Sequence, residues 1–256
     1  MPEWLIMTLV MAGTCAVVVT GAVLNSRRLG DDDDPDETPD VLDYMIMMIG
    51  VVYAIVLGLA IAGVWEARSA AQDGVRTEAQ ALHEVTERAS VYPAPVRDRI
   101  RDDVNAYVDH VVHTEWKVMI DKGELTDRGT KLLTTLRRDV TLAAPHSDLQ
   151  SQAYQPMVDQ VAAVDDARNA RQQSAGSTMP PLVWFGLVLG AALVIGLVFT
   201  LQIRRSPREL MLAVMFTALI VFLLFLVWDF DEPFGRSVGD STTAFTDLFP
   251  SARGGS

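Results

Sequence analysis

Three groups of side chains have the types and spacing for ion chemistry. The first is the stretch GDDDDPDETPD, residues 30–40, with Asp43 just beyond it. Eight carboxylates fall between Asp31 and Asp43. Carboxylate oxygens are the hard donors that calcium takes, but the run lacks the D-x-[DN]-x-[DN]-G-x5-E spacing and glycine turn of an EF-hand loop. A dedicated calcium site is therefore not expected. Carboxylates this dense repel one another and favour a solvated loop, and Asp40 is placed to cap a helix beginning near Val41. The second group is His110, His113 and Glu115, H-x-x-H-x-E on a predicted helix. Histidines at i and i+3 can share a metal, but no third strong ligand sits at suitable spacing. The apolar stripe puts Val108 and Val111 on the buried face, so these three are expected as partly exposed helix residues. The third group is Glu66 and Arg68 at the edge of an apolar segment, either an interfacial salt bridge or a pair of pore-facing charges. No nucleophile elbow, phosphate loop or H-E-x-x-H is present. The expectation is a protein without catalytic residues, cofactor or resident metal.

The elements that must position these groups are mostly apolar. Half of the 256 residues are hydrophobic, and the mean hydropathy is positive. The excess sits in four stretches, Trp4–Leu24, Tyr44–Trp65, Leu182–Ile203 and Leu210–Trp228, none holding Asp, Glu, Lys, Arg or His. Each is long enough for a hydrocarbon layer of about 30 Å. An unpaired backbone amide in lipid costs several kcal/mol, so each is expected to be a helix. The first lacks the basic n-region of a cleavable signal and is too long for one. The organisation read from the chain is a first helix pair with its acidic loop over 1–65 and a helical soluble block over 66–178. A second helix pair follows over 179–230, then a tail over 231–256. The fold class expected is an all-α membrane protein with four transmembrane helices. The net charge of −12 argues against nucleic acid or anionic lipid surfaces as partners. The single cysteine, Cys15, allows no intrachain disulfide. The spans hold no carboxylate or lysine that could relay protons, which argues against a proton-coupled pump.

The soluble block reads as helices. Val75, Ala79, Leu82, Val85 and Ala89 follow the spacing of one helix face, as do Ile100, Val104, Val108 and Val111 after the break at Pro93 and Pro95. Leu132, Leu133, Leu136 and Val140 predict a third helix capped by Thr126 or Asp127. Met157, Val161 and Val164 predict a fourth that starts near Pro156. No proline interrupts residues 65–90, so the second span is expected to run straight into the block. Trp4, Trp65, Trp184 and Trp228 all fall at span ends on one side, as an interfacial belt does. Arginines flank both sides in equal number: Arg27, Arg28, Arg204, Arg205 and Arg208 against Arg68, Arg76, Arg168, Arg171 and Arg236. The first set lies closer to the spans, which leans towards a soluble block outside the cytoplasm.

The second span is the most informative. Gly50, Ala54, Gly58 and Ala62 recur every four residues, a small-residue ladder that lets helices approach closely, within one subunit or between subunits. Beside it run Met47, Val51, Ile55 and Leu59, a bulkier stripe that faces lipid or a neighbour, or lines a constriction that gates by dewetting. The span ends in WEAR, Trp65–Arg68, and the fourth span is followed by DEPFG, Asp231–Gly235. With VVYAIVLGLAIAGVWE over 51–66, EAQAL over 78–82 and the Glu115–Trp116 pair, the chain resembles the bestrophin-like family, in particular its bacterial membrane proteins. The order of two helices, helical block and two helices matches as well. Each motif is short, but together they cover most of the chain.

The resemblance implies a homopentameric ion channel in the cell membrane, with the second spans around a central pore. It also implies an apolar neck at Met47, Val51 and Ile55. Bestrophin necks favour Phe and Ile, so a Met/Val/Ile neck differs in width or gating. Where the family's calcium clasp has an acidic run after Pro-Phe-Gly, this chain has Arg236-Ser237-Val238, which puts calcium gating by that route in doubt. The family topology puts both termini and the helical block in the cytosol, and that arrangement is narrowly preferred over the charge lean. The partners implied are inorganic ions, the lipid bilayer and further copies of the chain. In a pentamer about forty carboxylates would circle one pore mouth, led by Asp31, Asp32, Asp33 and Asp34. That concentrates cations in a salt-dependent way. Glu66 and Arg68 would stand at a mouth as well. The competing class is a membrane-anchored helical scaffold or envelope sensor without ion flux, for which the ladder and stripe would have no use.

Overall fold

The computed structural model describes residues 12–14, 16, 20, 40–176, 178–200, 207–234 and 242–254. Among the described residues every regular element is a helix. Most of the first apolar stretch and the acidic run Asp31–Asp34 lie outside the described residues.

The main element is α1, Asp40–Arg88, a single helix of 49 residues without proline. After a 3₁₀ turn at Ala89–Val91, Pro93 sits at the N-cap and starts α2, Ala94–His110, since proline's missing N–H is harmless in a first turn. The helix then widens into a π-helical turn, Val111–Glu115, and continues as α3, Trp116–Lys122. Gly123 ends α3 in the left-handed region, φ 69°, where glycine has no Cβ to clash. α4, Asp127–Leu142, is capped by Thr126, whose Oγ1 accepts from the Gly129 N–H. α5, Asp148–Gln173, is capped by Ser147 accepting from the Gln150 N–H. It therefore begins eight residues before Pro156, not near it. Proline leaves the Gln152 carbonyl without its intrahelical donor, and the helix continues through it nonetheless. α6, Pro181–Thr200, and α7, Pro207–Phe230, are the later apolar helices, followed by the short α8, Thr243–Leu248.

The chain divides into two compact units, residues 1–65 with 179–231, and residues 66–178 with 232–256. In the first, Tyr53, Leu57 and Val64 of α1 pack with Leu187, Ala191 and Val194 of α6 and Ile220 and Val227 of α7. α1 from Tyr44 and α7 from Met211 hold stretches long and apolar enough to cross a membrane, and the apolar stretch of α6, Pro181–Leu197, is shorter. The Tyr53 hydroxyl donates to the Leu187 carbonyl at 3.2 Å. Asp231 accepts from the Met179 N–H at 2.7 Å and from Trp184 Nε1 at 3.0 Å. In the second unit Val75, Leu82, Ile100, Val104, Leu136, Val140, Met157 and Val161 share one core, and the apolar stripes foreseen for the block are buried in it apart from Leu132, which is partly buried against it. Phe234, Phe245, Phe249 and Ala252 join that core, so residues after 231 belong to the block.

Among the described glycines of the first unit, Gly190 is the crowded one: an added Cβ would stand 2.7 Å from two ring carbons of Tyr53. One turn away Gly186 faces open space. Gly190→Ala should therefore cost about 1–3 kcal/mol through overpacking, and Gly186→Ala should cost nothing. Thermal unfolding of the purified full chain in detergent measures both, and equal effects would contradict this packing.

Candidate functional site

The candidate site is the part of α1 that the described residues of its own subunit leave uncovered. An α-helix turns about 100° per residue, so Tyr53, Leu57 and Val64 share the face packed on α6 and α7. Met47, Val51, Ile55 and Leu59 lie on the opposite face. All four are exposed, Met47 at 67 % and Val51 and Ile55 at 55 % and 58 %. The small-residue ladder borders this ridge on one side. Ala54, Gly58 and Ala62 are exposed, and a Cβ added at Gly50 or Gly58 would meet nothing within 4 Å. Among the described residues the ladder glycines thus make no close approach. On the other side of the ridge is a groove of about 370 Å³ between α1 and α6, lined by Met48, Ile49, Val52, Val56, Gly186 and Leu193 among others. The ridge Met47–Val51–Ile55 stands between two recesses. About three turns beyond Ile55 on α1, Glu66 is exposed and Arg68 half-buried.

The other functional group expected from sequence, His110, His113 and Glu115, resolves differently. His110 and Glu115 are buried rather than partly exposed. The π-helical turn adds a residue to the helix, which lets Glu115 and Trp116 both face the core, followed by Met119. Burying a carboxylate requires partners, and α5 supplies them from an arginine pair that sequence reading had counted as surface charges. Arg168 meets Glu115 through Nε at 3.0 Å and Nη2 at 2.6 Å, and Arg171 Nη2 meets it at 3.1 Å. Arg171 also holds Glu78 of α1, through Nε at 2.8 Å and Nη2 at 3.2 Å, and lies over the Trp116 ring. Tyr107 donates to Glu78 at 2.7 Å. Two carboxylates thus face two guanidinium groups with no net charge.

Thr126 completes the network. Its N–H and hydroxyl donate to Glu115 Oε2 at 3.1 and 2.7 Å. A threonine hydroxyl has one proton, and the carboxylate takes it, so His110 Nε2, 2.7 Å from Thr126 Oγ1, is the donor to that oxygen. The spacing of His110 and His113 therefore serves hydrogen bonding; His113 Nε2 lies 3.1 Å from the Ala252 carbonyl. Among the described residues no group of three or more His, Cys, Asp or Glu could hold a metal ion. Gly129 leaves room for this convergence, because a Cβ there would collide with the Glu115 carboxylate and Arg168.

Burial alone would raise the Glu115 carboxyl. Hydrogen bonds from Arg168 and Thr126, and the charges of Arg168 and Arg171, outweigh it and bring the pKa down to about 2. Burial lowers His110, against the pull of Glu115. On α2, burial and the facing Asp139 carboxyl push Asp103 up to about 6.

The model of the Bestrophin-like domain matches residues 12–245, so the chain belongs to the bestrophin-like family. Family and apolar helices together point to membrane association. No curated protein and no solved structure matches the chain.

These groups set the pH dependence of stability. A carboxyl depressed in the fold contributes stability above its unfolded value and loses it as pH falls, so Glu115 withdraws support between about 4.5 and 2. His110 also loses support as pH falls below its usual value, whereas Asp103, raised in the fold, gains it below about 6. The unfolding midpoint should therefore change little between pH 6 and 4.5 and fall steeply below that. Arg171→Met, which strands Glu78 without its cation, should cost about 3–5 kcal/mol at neutral pH. Chemical unfolding monitored by far-UV circular dichroism reads both.

Proposed function

We propose that the chain forms a homo-oligomeric, pentameric ion channel in the cell membrane, crossed four times by each subunit, in which α1 lines the pore and Met47, Val51 and Ile55 form its neck. The observation that carries this reading is the uncovered apolar ridge of α1. A helix with an apolar face exposed on a monomer needs a partner or lipid to cover it. This ridge has a small-residue ladder on one flank and an apolar groove on the other, the arrangement expected of a helix whose flanks meet neighbouring copies while its ridge faces an axis. Membership of the bestrophin-like family supports the same reading. Conduction is passive and involves no catalytic step. Apolar necks select weakly by charge and gate by dewetting, so the charge rings at the mouths decide ion choice. Asp31, Asp32, Asp33 and Asp34 bias the pore towards cations, with Glu66 and Arg68 as further mouth charges and the helical block on the cytoplasmic side.

In planar bilayers the purified chain should conduct, Val51→Trp should reduce conductance at least about tenfold by filling the neck, and Ile55→Ala should raise it. A wild-type level in both variants would remove the neck, and no flux from the wild type would favour the scaffold class. Replacing Asp31–Asp34 by Asn should move the reversal potential in asymmetric salt towards the anion value, most at low ionic strength, where screening is weakest. An unchanged reversal potential and low-salt conductance would remove the vestibule role.

A further inference from the structure

Along the exposed ridge of α1 three side chains, Val51, Ile55 and Leu59, are chemically inert hydrocarbons, and the fourth, Met47, carries an oxidisable sulfur. Met47 is 67 % exposed. Its position differs from that of the other methionines among the described residues. Met119 and Met157 are fully buried, and the Met119 sulfur accepts from Arg171 Nη1 at 3.3 Å. Met48 is as exposed, at 68 %, but lines the groove against α6. Met45, Met211 and Met215 are exposed on apolar helices but not on the ridge. With the ridge facing a pore, Met47 is the methionine at a neck position among the described residues, and dissolved peroxide reaches it before those that meet lipid.

We propose that Met47 is a reversible oxidation site whose sulfoxide form wets the neck and raises conduction; this rests on the channel reading above. The sulfur lone pair attacks one peroxide oxygen, the O–O bond breaks and an S–O bond forms. The proton on the transferred oxygen passes to the departing hydroxide, which leaves as water. Sulfur is oxidised by two electrons and peroxide is reduced by two. A dithiol reductant reverses the change, becoming a disulfide while the oxygen leaves as water. The consequence follows from the change of side chain. A thioether is apolar and flexible, and a sulfoxide is a strong dipole that accepts hydrogen bonds from water. A constriction held shut by dewetting loses part of its barrier when one of its rings becomes polar. Val51 and Ile55 stay apolar, so the response is graded.

The test records conductance of the reconstituted full chain before and after hydrogen peroxide, read as a ratio within each variant, with peptide mass spectrometry on the same samples. The wild-type ratio should rise several-fold and return on treatment with dithiol and a methionine sulfoxide reductase. Met47→Leu should hold the ratio at one, Met45→Leu with Met48→Leu should respond as the wild type does, and Met47 should be the first of these sulfurs oxidised. A conducting wild type whose ratio stays at one with Met47 oxidised overturns the proposal alone. So does a rise retained in Met47→Leu, or Met47 left reduced while Met45 and Met48 are oxidised. Absence of conductance before and after peroxide overturns the channel reading together with it.

Discussion

Arg171 holds Glu78 and Glu115 at once, and the second unit is organised around that bridge. Glu78 belongs to α1, Glu115 to the π-helical turn and Arg171 to α5, so one guanidinium fixes three elements to one another. Its value lies less in net energy than in geometry. A buried ion pair roughly breaks even against a well-packed apolar substitute, because desolvation offsets attraction, while losing one partner alone is costly. What the bridge supplies is register. Glu78 lies on the same face of α1 as Val75 and Leu82, all of them buried.

Much of this was legible in the sequence because it depends on short-range periodicity. The stripes Val75–Ala89 and Ile100–Val111 are buried as spacing implies, since a helix repeats its core face every three to four residues. The Thr126 cap is likewise local: a hydroxyl reaching the backbone three residues on. The family was legible from Trp65–Arg68, Asp231–Gly235 and the second span, and the family match spans residues 12–245.

What was not legible depends on pairing across long separations. Arg168 lies 53 residues from Glu115, and Arg171 lies 93 from Glu78. Nothing local distinguishes them from solvated arginines. The π-helical turn leaves no mark in the pattern either, because one inserted residue merely shifts which side chain faces the core. Pro156 misled in the usual way: proline is commonest at helix starts, but a Ser147 cap upstream and buried Ala153 and Met157 carry α5 through it. The ridge residues were legible as a stripe, but which face of α1 packs on α6 required Tyr53, Gly190 and Leu187 to be seen together.

The central claim is that the uncovered ridge of α1 faces an axis shared by several copies of the chain. Single-particle imaging of the purified full chain in lipid nanodiscs tests it most directly, by counting subunits and locating α1. The account predicts a closed ring of five with α1 innermost and the Met47, Val51 and Ile55 side chains forming its narrowest part. A monomer, or a ring in which that ridge faces lipid and another helix lines the centre, would contradict it.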